Sequence, residues 1–314
     1  MSIEMIFNSL TNFKSVKKLA VFLEKWTSFD IEFVVKREDL IHSEISGNKF
    51  RKLKYNIEEA KKSNQNTLLT FGGAFSNHIA ATAAAGKYCG FKTIGIIRGE
   101  ELEDKIEQNP TLLYAKSCGM TLHFISREAY KQKDNLDFIT QLHSLYGAFY
   151  ALPEGGTNLL AIKGCEEILN KEDTIYDYVC VSVGTGGTMA GIINTTIPHQ
   201  KVIGFSALKG NFLKEEVSKW TNKTNWEITD AYCFGGYAKV NTELIEFINT
   251  FKKETGIPLD PIYTGKMMYG IIAMIKEGKI PKKSRILAIH TGGLQGIIGM
   301  NEKLNKKNLP LIEI

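Results

Sequence analysis

The chain has 314 residues, 43% hydrophobic and 23% charged, with a net charge of +5 from 39 basic against 34 acidic residues. That length allows two domains or one large α/β unit with an inserted lobe; the charge excess is too small and dispersed for a nucleic-acid surface and suits an anionic cofactor or substrate. The five cysteines are scattered, without a C-x-x-C pair or metal-ligand spacing, and neither a signal peptide nor a membrane span is evident, so a soluble cytoplasmic protein without a metal is expected.

In chain order, residues up to about 26 suggest a helix with a mixed face (Leu10, Phe13, Val16, Leu19, Ala20, Leu23), and Ile31 to Lys36 a strand closed by Arg37-Glu38-Asp39-Leu40. Leu53, Ile57 and Ala60 then recur at helical spacing, which places Lys49 on the first turn of an amphipathic helix. Asn48 reads as its cap, and Gly47 frees the backbone before it. The positive end of the helix dipole makes a neutral amine easier to hold there, the setting a Schiff-base lysine needs. The same stretch also fits a solvated basic face of Lys49, Arg51, Lys52 and Lys54.

Thr67 to Phe71 is a buried strand running into Gly72-Gly73, and Ser76-Asn77-His78 opens an alanine-rich helix to Tyr88. Thr93–Ile97 and Thr121–Ile125 are strands, Pro110 to Ser117 a helix capped by Asn109, and Leu136 to Leu145 another helix. Phe149–Leu152 and Pro153 to Asn158 look like a join between lobes, followed by a helix over 159–169. Tyr178–Val183 is an apolar strand ending in Gly184-Thr185-Gly186-Gly187-Thr188, with a helix leaving at Met189. Val202–Ser206 is a strand, 207–240 has no clear pattern, Thr242–Thr255 and Lys266–Ile275 are helices, and Arg285–Ile289 is a strand into His290-Thr291-Gly292-Gly293. Alternating strands and helices at this spacing mean crossover connections, an α/β class and two mainly parallel sheets.

Two loops carry chemistry. Gly184 to Thr188 joins a buried strand to a helix, so its N–H groups and the dipole suit a phosphate; it lacks the Gly-Lys-Ser/Thr of a nucleotide loop, and Met189 stands where a dinucleotide fingerprint has its third glycine. A plain tight turn is the alternative. Ser76 reads as an N-cap, which leaves the Asn77 amide facing the crevice beyond the strand ends. His78 fits packing as well as catalysis.

Taken together, Lys36 to Leu40, Gly47-Asn48-Lys49-x-Arg51-Lys52-Leu53, Ser76-Asn77-His78, Gly184–Thr188, Asp260-Pro261-Ile262-Tyr263-Thr264-Gly265-Lys266 and His290 to Gly293 resemble the pyridoxal-phosphate enzymes of the tryptophan-synthase-β type (fold type II). Within them, the branch of 1-aminocyclopropane-1-carboxylate deaminase and D-cysteine desulfhydrase matches best. The resemblance implies pyridoxal 5'-phosphate held covalently by Lys49, its ring hydroxyl by Asn77, and its phosphate by Gly184, Thr185, Gly186, Gly187 and Thr188 with Lys52. It makes Ser76 a carboxylate or proton-transfer residue, Tyr263 the active-site tyrosine and Tyr237 a second one, and sets His78 and Thr291 on the substrate side. It places Thr264 beside the pyridine nitrogen. It also implies a larger cofactor-binding domain of residues 1–47 and 153–314, a smaller inserted domain of 48–152, and a homodimer.

The deaminase has glutamate in place of Thr264 and leucine in place of Thr291, whereas the desulfhydrase has small hydroxyl residues at both, as here. β-Elimination of D-cysteine is therefore the expected reaction, with opening of the cyclopropane amino acid, turnover of a hydroxyl amino acid, and non-catalytic phosphate binding as alternatives. Phe75 replaces a common glutamine, and Leu294-Gln295-Gly296 the usual Val/Ala-Pro-Ala run, which bears on the substrate more than on the cofactor.

Overall fold

A computed structural model describes residues 16–22 and 30–313. The strands are β1 (Lys18–Ala20), β2 (Glu32–Lys36), β3 (Thr67–Gly73), β4 (Lys92–Arg98), β5 (Met120–Ile125), β6 (Tyr150–Leu152), β7 (Tyr178–Val183), β8 (Lys201–Ser206), β9 (Trp226–Thr229) and β10 (Arg285–Ile289). The helices are α1 (Asn48–Lys62), α2 (Asn77–Cys89), α3 (Pro110–Ser117), α4 (Arg127–Tyr130), α5 (Leu136–Tyr146), α6 (Leu159–Cys165), α7 (Gly187–Thr195), α8 (Phe212–Ser218), α9 (Thr242–Thr255), α10 (Thr264–Lys276) and α11 (Gly296–Asn305). The expected α/β class is the one found.

A six-stranded sheet runs β1-β2-β10-β7-β8-β9 and a four-stranded sheet β5-β4-β3-β6. Among the described residues only the β1–β2 pairing is antiparallel. Parallel strands have to bury both faces, which is why they read as unbroken apolar runs. In the larger sheet Phe33, Val35, Ile203 and Phe205 pack under α9 and α10, while Val34, Val179, Val181 and Leu287 pack under α6 and α7. In the smaller sheet Leu68 meets α1 and α2 through Leu53, Ile57 and Ala84, and Leu69, Phe71 and Ile96 meet Leu142 of α5 on the other face. Each such side chain contributes about 1.5–3 kcal/mol. Among the described residues, no helix is long and apolar enough to cross a membrane.

Three expectations need correction. Within the helix expected to about residue 26, Lys18–Ala20 is instead a strand registered on Val34 to Lys36, because the free edge of β2 offers hydrogen bonds that outweigh a weak helical pattern; residues 1–15 and 23–26 of that helix lie outside the described residues. Tyr150–Leu152, read as part of a join, pairs with Leu68 to Thr70 as an edge strand. Asn48 is not the cap of α1: Gly47 holds that place, and Asn48 is the first helical residue.

Three further elements have little sequence signal. α8 and β9 are short pieces of the unpatterned region 207–240. α11 contains Gly296 and Gly299, which lower its apparent helicity; a Cβ on Gly299 would lie 2.4 Å from the Phe75 ring, so that glycine is required for packing.

Candidate active site

The loops after β3, β7 and β10 all leave the carboxyl ends of parallel strands, the edge at which open α/β sheets bind ligands. They enclose, with the start of α1, a cavity of about 760 Å³.

Lys49 reaches this cavity because of its neighbours. Gly47 has φ +61°, and a Cβ there would stand 1.9 Å from the Thr291 carbonyl oxygen, so only glycine lets the two loops touch. The Asn48 N–H donates to that same carbonyl at 3.3 Å. Behind it Arg51 is gripped by Glu38, at 2.9 and 3.1 Å, and Glu38 is wholly buried. Breaking such a buried pair costs about 3–5 kcal/mol, which anchors α1 firmly. Arg37 and Asp39 pair at 2.7 Å, and Asp39 meets His290 at 3.3 Å, so the charged run after β2 ties α1 and the β10 loop to the large sheet.

The half-buried Lys49 amine donates to the Gly155 carbonyl at 3.1 Å, and the buried Lys52 amine donates to that same oxygen at 2.9 Å. Burial first, then the Lys52 charge, holds the Lys49 amine well below the usual lysine range; burial brings Lys52 down to about 8. Lys52 also donates to Thr157 at 2.8 Å and Thr185 at 3.4 Å, and those two hydroxyls are 2.6 Å apart.

The glycine-rich loop after β7 leaves the strand where expected, with one shift at the helix. α7 starts at Gly187, two residues before Met189, and no side chain caps it; Gly186 precedes it with φ +83°. Gly184, Thr185, Gly186 and Thr188 line the cavity, while Gly187 stands behind Thr157, 2.7 Å from its methyl for an added Cβ. The Thr188 hydroxyl accepts from the Asn48 side chain at 2.8 Å, which registers the lysine loop on the glycine-rich loop after β7.

On the opposite wall Ser76 caps α2, its hydroxyl accepting from the N–H groups of His78 and Ile79. The Asn77 side-chain oxygen accepts from the Gln295 side chain, and Phe75 lies on α11 with the Lys303 amine 4.2 Å above its ring, so both departures from the family pattern lie where the Phe75–Asn77 stretch meets the start and face of α11. His78 is buried with neither ring nitrogen hydrogen-bonded among the described residues, and burial, then Lys49 and Lys52, keeps it neutral. Tyr263 and Tyr237 meet edge-on at 6.2 Å. Burial, then Tyr237, raises the Tyr263 phenol well above the usual range, so it stays protonated. Thr291 lines the cavity and shares a 3.0 Å hydrogen bond with Ser182.

Thr264 is not brought to the cavity wall. It is fully buried at the start of α10, its hydroxyl donating to the Asp260 carboxylate at 2.7 Å and accepting from the Asp260 N–H at 2.9 Å. The Asp260 carboxylate also caps the N–H groups of Ile262, Tyr263 and Thr264, and this local turn claims the hydroxyl. Gly155, Thr157, Ser182 and Arg98 were not anticipated. Gly155 and Thr157 sit in the join after Pro153, Ser182 inside β7, and Arg98 at the end of β4, where composition gives no sign of a shared site.

Two neighbouring amines meet carbonyl and hydroxyl oxygens and no carboxylate among the described residues, beside an uncapped helix start. Such a site wants an anion with a group that can take up a neutral amine, and pyridoxal phosphate meets both needs. A protein-family model described as pyridoxal-phosphate dependent enzyme matches residues 21–292. The chain belongs to that family. It is 32% identical over 299 residues, 88% of this chain and 93% of the relative, to a putative 1-aminocyclopropane-1-carboxylate deaminase of Thermotoga maritima. It is 32% identical over 295 residues, 85% of this chain and 73% of the relative, to a bifunctional D-cysteine desulfhydrase/1-aminocyclopropane-1-carboxylate deaminase, mitochondrial, of Arabidopsis thaliana. A crystal structure of an ACC deaminase homologue superposes with a TM-score of 0.81 at 25% identity, covering 93% of each chain. This pyridoxal-phosphate enzyme therefore stands in the deaminase/desulfhydrase branch.

The lowered Lys49 pKa has a measurable consequence. Lys49 becomes neutral and nucleophilic once the pH exceeds its own pKa, so cofactor uptake by the apo-enzyme should rise to a plateau at a pH well below the ordinary lysine value of 10.5. Stopped-flow absorbance over a pH series checks this. A half-rise near the ordinary value would show that the site does not deprotonate Lys49.

Proposed function

We propose that this enzyme performs β-elimination on D-cysteine, giving pyruvate, sulfide and ammonia with uptake of one water. When bound, pyridoxal phosphate supplies an electron sink beside the substrate's α-carbon. Lys49 would hold the cofactor and, once displaced by the substrate amine, carry a proton at its Nζ. Lys52, the Thr157 and Thr185 hydroxyls and the first N–H groups of α7 would hold the phosphate. Asn77 would orient the ring hydroxyl, Ser76 would take the substrate carboxylate or a proton, and Tyr263, kept protonated, would donate at its phenol oxygen. His78, Tyr237 and Thr291 would shape the substrate side. The two lobes of this reading are residues 1–47 with 153–314, and 48–152, with the cavity lined by residues of both.

The observation that carries the choice of reaction is the neutral wall at Thr291 and Ser182. With Thr264 turned to Asp260, no carboxylate is offered from the position that the resemblance places beside the pyridine nitrogen. A carboxylate there would keep that nitrogen protonated and strengthen the sink. A departing thiol tolerates the weaker sink; opening a cyclopropane needs more. Ring opening remains the rival, favoured by the two activities in the name of the Arabidopsis relative.

Side-by-side assays of the purified holoenzyme decide between them. Sulfide and pyruvate from D-cysteine should exceed 2-oxobutanoate from the cyclopropane substrate by about tenfold or more in kcat/KM, a difference of about 1.4 kcal/mol in transition-state binding. Faster ring opening would overturn the assignment and make the enzyme a deaminase that works without the glutamate.

A further inference from the structure

One buried cation near the site has no part in the chemistry above. Lys266 lies on the first turn of α10, and only 2% of it is exposed. Its amine donates to the Cys233 carbonyl at 2.8 Å and to the Gly236 carbonyl at 2.7 Å, with no carboxylate partner among the described residues. Placing an ammonium on two backbone carbonyls in the interior is unfavourable, and burial brings its pKa down to about 8. The Cys233 thiol and the Asp260 carboxylate are the titratable groups that act on it.

The loop it grips is unusual. Phe234, Gly235, Gly236 and Ala238 all have positive φ, at 52°, 85°, 117° and 55°. Two of these are not glycine, so the segment is held in a conformation the chain would not choose freely. Tyr237 sits in its middle, lines the cavity, and meets Tyr263 edge-on, with the ring centres 6.2 Å apart. Tyr263 is the residue immediately before α10 and Lys266 is in that helix's first turn. One rigid element thus carries one tyrosine directly and the other through two hydrogen bonds.

We propose that Lys266 is a positioning residue: its amine pins the Cys233–Gly236 loop so that Tyr237 stands at the cavity wall beside Tyr263, and it affects turnover only through Tyr237. This rests on the reading of the cavity as an amino-acid site. A purely structural anchor predicts a different pattern, in which losing Lys266 harms the enzyme whether or not Tyr237 is intact.

The test is a double-mutant cycle on the holoenzyme with Lys266→Met, Tyr237→Phe and the double variant, assayed with D-cysteine at matched cofactor loading. Amide hydrogen exchange of residues 233–238 is followed in parallel. Lys266→Met should lower kcat by about 10²-fold, the scale of a misplaced catalytic group. In the Tyr237→Phe background the same change should lower it by less than about twofold, the scatter expected of independent sites. Exchange should quicken in 233–238 and stay unchanged in 184–188. Losses that multiply, a Tyr237→Phe enzyme with full activity, or unchanged exchange in the loop would each overturn the proposal. If Lys266→Met does not fold, Lys266→Gln, which keeps an N–H donor without the charge, enters the same cycle. The exchange measurement needs no substrate: faster exchange in a protein that ignores D-cysteine supports the pin and rejects the substrate, whereas flat exchange in an active enzyme rejects the pin alone.

Discussion

Replacing Lys49 with alanine should reduce turnover on the order of 10²–10⁴-fold, the range lost when a proton-transfer group is removed, and should abolish the visible absorbance of lysine-bound cofactor. Stability should change by no more than about 1 kcal/mol, because the amine makes one hydrogen bond, to the Gly155 carbonyl, and sits against the Lys52 charge. The sign favours the variant: an amine whose pKa is lowered by folding costs stability at pH values where the unfolded chain holds the proton, and alanine removes that cost. Borohydride reduction followed by peptide mapping locates the attachment. The nearby Lys52 is the only other amine on the same carbonyl among the described residues, but Thr157 and Thr185 hold it in the phosphate loop. A cofactor label that persists on Lys52 in the Lys49→Ala protein would reverse the two assignments.

Valine at Gly187 should raise the dissociation constant for the cofactor by about 10–100-fold, or about 1.4–2.8 kcal/mol. A Cβ at Gly187 would stand 2.7 Å from the methyl and 2.8 Å from the hydroxyl of Thr157, and that hydroxyl accepts from Lys52 at 2.8 Å. The substitution therefore pushes Thr157 and loosens Lys52 without touching the cavity wall itself. Valine at Gly186 acts differently: φ of +83° strains any β-branched residue by about 1–3 kcal/mol, and its Cβ would meet Val217 at 2.8 Å. Both variants are read by titrating apo-enzyme with pyridoxal phosphate. Unchanged affinity in both would mean that the loop is a turn with no phosphate to hold.

Much of this site was legible along the chain. The Ser76 cap, the Asn109-Pro110 start and the glycine turn after Val183 depend on residues within a few positions of one another, and each is where the pattern put it, whereas the strand expected to end at Phe71 runs on through Gly73. Ser76, Asn77, His78, Tyr237, Tyr263 and Thr291 do gather with Lys49 and Lys52 around one cavity. Phe75 and Gln295 stood out only as departures, and the structure gives them a common location, with Phe75 on α11 and Gln295 on Asn77.

By itself the sequence determined the alternation of strands and helices, the loops at which it switches, and the family, since capping, periodicity and motif order are written in short stretches. Tertiary structure decided which partner each polar group takes. Asn48, placed as a cap by its neighbours, donates instead to Thr188 across 140 positions, and Lys52 finds Thr157 across 105. Thr264, placed beside a cofactor by motif, is claimed by Asp260 four residues away, and Lys266 finds its carbonyls on a loop that has no pattern. A hydrogen bond is decided within about 3 Å, and which groups come that close depends on how the strands and helices pack.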